Sequence, residues 1–197
     1  MNSQTIFETE TDFTDQKFTE LDLRSSIIES RNFDGCTFSR VNFNGSTFKS
    51  CRFSDCTFEQ SDLSNLVVTG SDFRDVTFKD CKAVGINWTT SKTVLHLTWQ
   101  SCALNYGNFS GLDLRKSTLQ NCTAREADFA EANLSESILR ETDFTAARFA
   151  NTNLTKADLR QAKNYSIRPD SNKIKKAKFS LPEAMLLLYG LDIELEE

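Results

Sequence analysis

From Phe13 onward every fifth residue is large and apolar: Phe13, Phe18, Leu23, Ile28, Phe33, Phe38, Phe43, Phe48, Phe53, Phe58, Leu63, Val68, Phe73 and Phe78. Two residues before each of these centres the side chain is usually small, as at Thr11, Ser26, Cys36, Val41, Ser46, Cys51, Cys56, Ser61, Ser71 and Val76. Gln16, Leu21, Arg31 and Leu66 break that second rule. The same code returns one residue out of step, with centres at Leu104, Phe109, Leu114, Leu119, Ala124, Phe129, Leu134, Leu139, Phe144, Phe149, Leu154 and Leu159. The other three positions of each unit are mostly polar. Two inward residues in five fit neither the 3.6 period of a helix nor the 2.0 period of a strand. A phase held this long marks a repeat architecture, in which each unit buries its apolar face only against its neighbours.

Units such as ADFAE, ANLSE and ADLRQ resemble the pentapeptide-repeat family, whose consensus is A(D/N)LXX. The resemblance implies an all-β chain: a right-handed quadrilateral parallel β-helix, one unit per side and four units per coil, with a short C-terminal α-helix. Large centres then alternate with small inward residues, as close packing requires. Like residues twenty apart stack at the ~4.8 Å strand spacing, so Phe33, Phe53 and Phe73 form a column. The expected organisation is a lead-in or cap over 1–10, the β-helix over 11–163, and a capping and dimerisation segment over 164–197.

All six cysteines (Cys36, Cys51, Cys56, Cys81, Cys102, Cys122) fall at the small inward position. They lack the CxxC spacing of metal or redox sites. Stacked pairs are close enough for a disulfide, but buried, reduced packing thiols are the favoured reading. Between Cys81 and Leu104 the code slips by one residue, which places an insertion within Thr89–Thr93. A bulge or widened corner is the local solution. Trp88, Trp99 and the lone histidine, His96, lie here, and two readings stand: a wider interior filled by indoles, or a shallow recognition site. His96, flanked by Leu95 and Leu97, is expected to point outward.

A net charge of −5 argues against general affinity for nucleic acid. No apolar run approaches the roughly 20 residues of a membrane span. The polar N-terminus lacks the features of a signal peptide, so a cytoplasmic location is expected. No nucleophile–base pair, phosphate-binding glycine loop or metal spacing occurs, so neither enzyme activity nor a cofactor is expected. The Asp and Asn residues before the centres (Asp12, Asp22, Asn32, Asn42, Asp62, Asp72, Asp128, Asn133) belong to the repeat consensus.

After Leu159 the repeats stop. Ser180–Glu183 reads as a capping box with Pro182 in the first turn, opening a helix over about 181–189 that Gly190 stops. Leu191, Ile193 and Leu195 alternate as a strand. This tail resembles the dimerisation module of the Qnr and MfpA quinolone-resistance branch. That likeness implies an end-to-end bacterial homodimer through Leu181, Ala184, Met185, Leu187, Leu188, Leu191 and Ile193. It further implies an acidic rod that mimics DNA and binds DNA gyrase or topoisomerase IV, without direct contact to nucleic acid or membrane. The candidate partner surface is Asp15, Asp55 and Asp75, twenty or forty apart, with Asp12, Asp34 and Asp72 beside them; Arg31, Arg52 and Arg74 dilute it. Glu126, Glu131, Glu136 and Glu141 ring a single coil and read as a solvated belt. The lysines from Lys173 to Lys178 read as a solvated face, with a contact to an acidic surface as the alternative. The two projecting loops typical of Qnr proteins are absent, as in MfpA-like members. The other functional reading is a scaffold or regulatory rod that binds some other protein.

Overall fold

The computed structural model describes Phe7, residues 10–191 and Ile193. Short strands three residues long follow one another around a coil, each with its centre buried and its flanks open to solvent except at Ser39 and Asp72. All pairing is parallel and, outside one stretch near Trp88, twenty residues apart: Phe13 lies beside Phe33, Phe33 beside Phe53, and Phe38 beside Phe58. The chain is therefore a parallel β-solenoid with four sides to a coil.

The first side is a five-stranded sheet: Asp12–Thr14, Asn32–Asp34, Arg52–Ser54, Asp72–Arg74 and Thr93–Leu95. The second is a six-stranded sheet running from Lys17–Thr19 to Thr118–Gln120. On that side Thr37, Thr57, Thr77, Thr98 and Thr118 stand in register, β-branched residues suited to extended backbone. The third side is held by single bridges such as Asp22↔Asn42 and Asn42↔Asp62. The fourth begins as the pair Ile27–Glu29 and Thr47–Lys49 and continues as bridges.

Side chains explain why some sides are strands and others tight turns. Where an Asp or Asn precedes the centre on a bridged side, its Oδ1 accepts from the N–H two residues on, as in Asp62 with Ser64 (2.9 Å) and Asp128 with Ala130 (2.9 Å). This Asx geometry fixes the turn. The next small residue then donates its own N–H back to the centre carbonyl, as Ala132 does to Phe129 (3.2 Å). After a strand side several small residues lack that bond. Their N–H groups go to an inward hydroxyl or thiol one coil ahead: Val41 to Ser61 Oγ, Cys51 to Ser71 Oγ and Cys102 to Cys122 Sγ. The inward position thus selects polarity as well as size, because a buried unpaired N–H is costly.

The interior is a set of stacked rings. Phe13, Phe33, Phe53 and Phe73 stack at centroid distances of 5.0, 4.9 and 5.1 Å, and Phe18, Phe38, Phe58 and Phe78 at 5.0, 4.7 and 5.1 Å. Neighbouring columns meet edge to face, as at Phe33 and Phe38 (73°). Phe7 closes the N-terminal mouth, within 5.8 Å of the rings of Phe13, Phe18 and Phe33. Arg31, at an inward position, donates to the Phe7 carbonyl (2.7 Å). Of the expected 1–10 lead-in, residues 1–6, 8 and 9 lie outside the described residues.

The slip is a 3-10 turn, Trp88–Thr90. Asp62 pairs with Lys82, twenty on, but Asp72 pairs with Thr93 and Asn87 with Asn108, twenty-one on. The extra residue therefore falls between Asn87 and Thr93. Ile86, Trp88, Leu97 and Trp99 are all completely buried there. The recognition-site reading of the tryptophans is thereby corrected, because both indoles fill the interior.

Candidate partner-binding surface

The sites of interest sit at corners. Each coil turns with one residue in the left-handed region, among them Asp15 (φ 51°), Asp55 (52°), Asp75 (53°) and His96 (51°). Left-handed φ favours Gly, Asn and Asp, and holds the side chain out at the edge of the rod. Stacked corners make a file along one edge between the first and second sides. Asp55 and Asp75 occupy adjacent rungs; Gly35 separates them from Asp15.

Asp15, Asp34, Asp55 and Asp75 are exposed. Asp75 meets His96, whose outward ring lies at 3.2 Å (Nδ1 to Oδ1). Asp12 is exposed and held low by a hydrogen bond from the Thr11 hydroxyl (2.6 Å) and another from the Asn32 amide (2.7 Å). Asp72 does not belong to the surface. It is only 7% exposed, Lys92 Nζ covers Oδ2 at 3.5 Å, and Oδ1 is buried without a partner. Lys92 reaches it from beside the slip. Among the diluting cations, Arg31 is turned toward Phe7, whereas Arg52 and Arg74 are exposed on the first side.

Glu126, Glu131, Glu136 and Glu141 are consecutive left-handed corners, each on a different edge (φ 56 to 61°). Spacing at multiples of twenty, corrected by one across the slip, adds residues that the acid search alone did not align with the first file. Beyond His96 the edge continues through Lys116, Glu136, Lys156 and Lys176.

The C-terminal segment departs from the expected helix. A 3-10 turn covers Glu183–Met185 and the helix, α1, only Leu186–Tyr189. Ser180 does not cap it: its Oγ accepts from the Gln161 N–H (3.2 Å), tying the tail to the coil below. Gly190 ends the helix at φ −75°, outside the left-handed region; a β-carbon there would meet Pro169 Cδ at 3.0 Å. Leu186 and Leu187 pack on the core and close the last coil, so Leu187 faces inward. Leu181 (77% exposed), Met185, Leu191 and Ile193 face out, with Ala184 and Leu188 half-buried. Leu191 is in a turn, and the strand expected over Leu191–Leu195 lies largely outside the described residues.

The cysteines are free and buried, and every Sγ donates to a carbonyl of the preceding coil, as Cys56 does to Phe33 (3.4 Å). Burial pushes the Cys56 thiol up to about 12. Among the described residues no His, Cys, Asp and Glu cluster could hold a metal, and no helix is long and apolar enough to cross a membrane.

The family model described as pentapeptide repeat region matches residues 31–96, 55–129 and 96–181. Among solved structures, a trypsin-treated variant of QnrB1, a plasmid-mediated fluoroquinolone resistance protein, is 20% identical with a TM-score of 0.52. That match covers 94% of this chain and 100% of the other. HetL from the cyanobacterium Nostoc sp. strain PCC 7120, a protein involved in heterocyst differentiation regulation, is 14% identical with a TM-score of 0.34, covering 85% and 86%. Compared by sequence with curated proteins, the chain has no significant match. With the five-residue phase, the stacked coils and the family model in agreement over most of its length, the chain belongs to the pentapeptide repeat family.

Proposed function

We propose that the chain is a non-enzymatic cytoplasmic rod that binds a protein partner through its acidic edge, in the manner of a DNA mimic acting on DNA gyrase or topoisomerase IV. The observation that carries this reading is the exposed placement of Asp55 and Asp75 on adjacent rungs, with Asp15 on the same edge and Asp34 beside it. Carboxylates repeating at the ~4.8 Å strand spacing present a line of negative charge to a basic, DNA-binding surface. The likeness in fold to a fluoroquinolone resistance protein supports the choice of partner. The outward Leu181, Met185, Leu191 and Ile193 support an end-to-end homodimer, since clustered exposed apolar side chains mark interaction surfaces.

The test is gyrase supercoiling with and without ciprofloxacin, at a large molar excess of the chain. Protection that disappears in the folded triple variant Asp15→Asn, Asp55→Asn, Asp75→Asn supports the reading. No effect of the unaltered protein overturns it. Arg52 and Arg74 within the acidic side favour a second reading, a scaffold for a partner of mixed charge.

A further inference from the structure

The acidic file is half of a longer pattern. Reading the same edge from end to end gives nine rungs: Asp15, Gly35, Asp55, Asp75, His96, Lys116, Glu136, Lys156 and Lys176. All nine are left-handed corners, so all sit on the outermost line of the rod. The sign of charge reverses at His96. Glu136, the one exception in the second half, is clamped by Lys156 at 3.0 Å, and that contact holds its carboxyl low. Asp15 and Asp55 in the first half, and Lys116 and Lys176 in the second, have no ion pair among the described residues. The rod as a whole, all four sides counted, follows the same trend. Residues 12–80 carry twelve Asp and Glu against eight Lys and Arg, whereas residues 140–178 carry four against ten.

His96 is the fifth rung of nine, so the pattern is complementary to its own reverse. A two-fold axis through His96 sets Asp15 opposite Lys176 and Asp75 opposite Lys116. Gly35, which has no side chain, then faces Lys156, and Asp55 faces a Glu136 already neutralised by that lysine. We propose that this edge is an isologous interface on which a second copy of the chain lies side by side and antiparallel. In such an arrangement each contact occurs twice. Exposed ion pairs are individually weak, so the pair is reversible and its register is set by charge matching. It is also sensitive to salt, because the screening length falls from about 10 Å at 0.1 M to about 3 Å at 1 M. Pairing covers Asp15, Asp55 and Asp75. Competition with the topoisomerase partner rests on the reading of the preceding section, whereas the pairing itself does not.

Sedimentation velocity on the full chain tests this with two charge-uniform variants. One is Asp15→Lys, Asp55→Lys, Asp75→Lys; the other is Lys116→Glu, Lys156→Glu, Lys176→Glu. The unaltered chain pairs at low salt and separates at about 1 M. Neither variant pairs along the edge alone, and the two mixed together form one-to-one complexes lost in salt. A tail-to-tail dimer behaves differently: it survives salt and both variants but falls to Leu181→Ser with Met185→Ser. The neutral pair Asp15→Asn, Lys176→Gln keeps the test open if a triple variant misfolds, and weakens low-salt pairing by up to about tenfold. Mixed variants that sediment as they do separately, with an unaltered chain indifferent to salt, overturn the proposal. The gyrase assay reports on the other reading independently.

Discussion

Gly35 stands one rung above Asp15, and a β-carbon at position 35 would collide with Asp15 Oδ1. The glycine therefore serves twice: it takes a φ of 63° without strain and leaves room for the carboxylate below. Gly35→Ala adds left-handed strain of about 1–2 kcal/mol and turns the Asp15 carboxylate aside. Urea unfolding reads the loss. Ala146→Gly, at a corner with φ 56°, relieves the same strain and is expected to be neutral or stabilising.

Phe53 is gripped between Phe33 (4.9 Å) and Phe73 (5.1 Å) and is completely buried. Phe53→Ala is expected to cost about 3–5 kcal/mol. Because coils touch only their neighbours, amide exchange should rise first in residues near 33–73 and least near 150.

The two kinds of corner predict unequal responses to one substitution. Ser71→Ala strips the Cys51 N–H of its acceptor (3.0 Å) and leaves a buried donor unpaired, at about 1–3 kcal/mol. Ser137 bonds only the carbonyl of Leu134, three residues back, so Ser137→Ala is milder. Equal unfolding midpoints for the two variants would contradict the corner rule.

Burial holds the Cys56 thiol near 12, so the thiolate needed for attack is scarce at pH 8. The Cys122 thiol is instead lowered by its bond with Cys102, but all six are buried, so an aromatic disulfide reagent should find no fast thiol in the folded chain and six after unfolding.

Partial burial raises the Asp143 carboxyl, but bonds from Asn164, Thr145 and Arg125 outweigh it and hold the group well below its usual range. A lowered folded value contributes stability that is present above the unfolded value near 3.9 and lost as pH falls below it. Thermal scans between about pH 5 and pH 2 should show a shallower decline for Asp143→Asn than for the unaltered chain.

The interior was legible because the inward code is covalent in spacing: Phe33, Phe53 and Phe73 stack as their five-residue phase requires. Asp72 was not legible as a buried acid, since its cover, Lys92, comes from the irregular stretch where phase gives no guidance. The tail misled for a related reason. Ser180 has the composition of a cap, yet the bond it makes is to Gln161 in the coil beneath, and only the stacked structure brings that N–H within reach. The Lys116–Lys176 half of the edge was present in the spacing, hidden by the one-residue slip at Trp88–Thr90.

Along a strand side, backbone bonds between coils run in both directions. Asp15 donates upward to the Asp34 carbonyl, while Asn32 donates downward to the Thr11 carbonyl, both at 2.8 Å. Peptide dipoles therefore partly offset one another along the axis, unlike the aligned peptides of an α-helix. Much of the electrical orientation of this rod therefore belongs to its side chains. It can be strengthened, erased or inverted by surface substitution while the ladder that builds the coils stays unchanged.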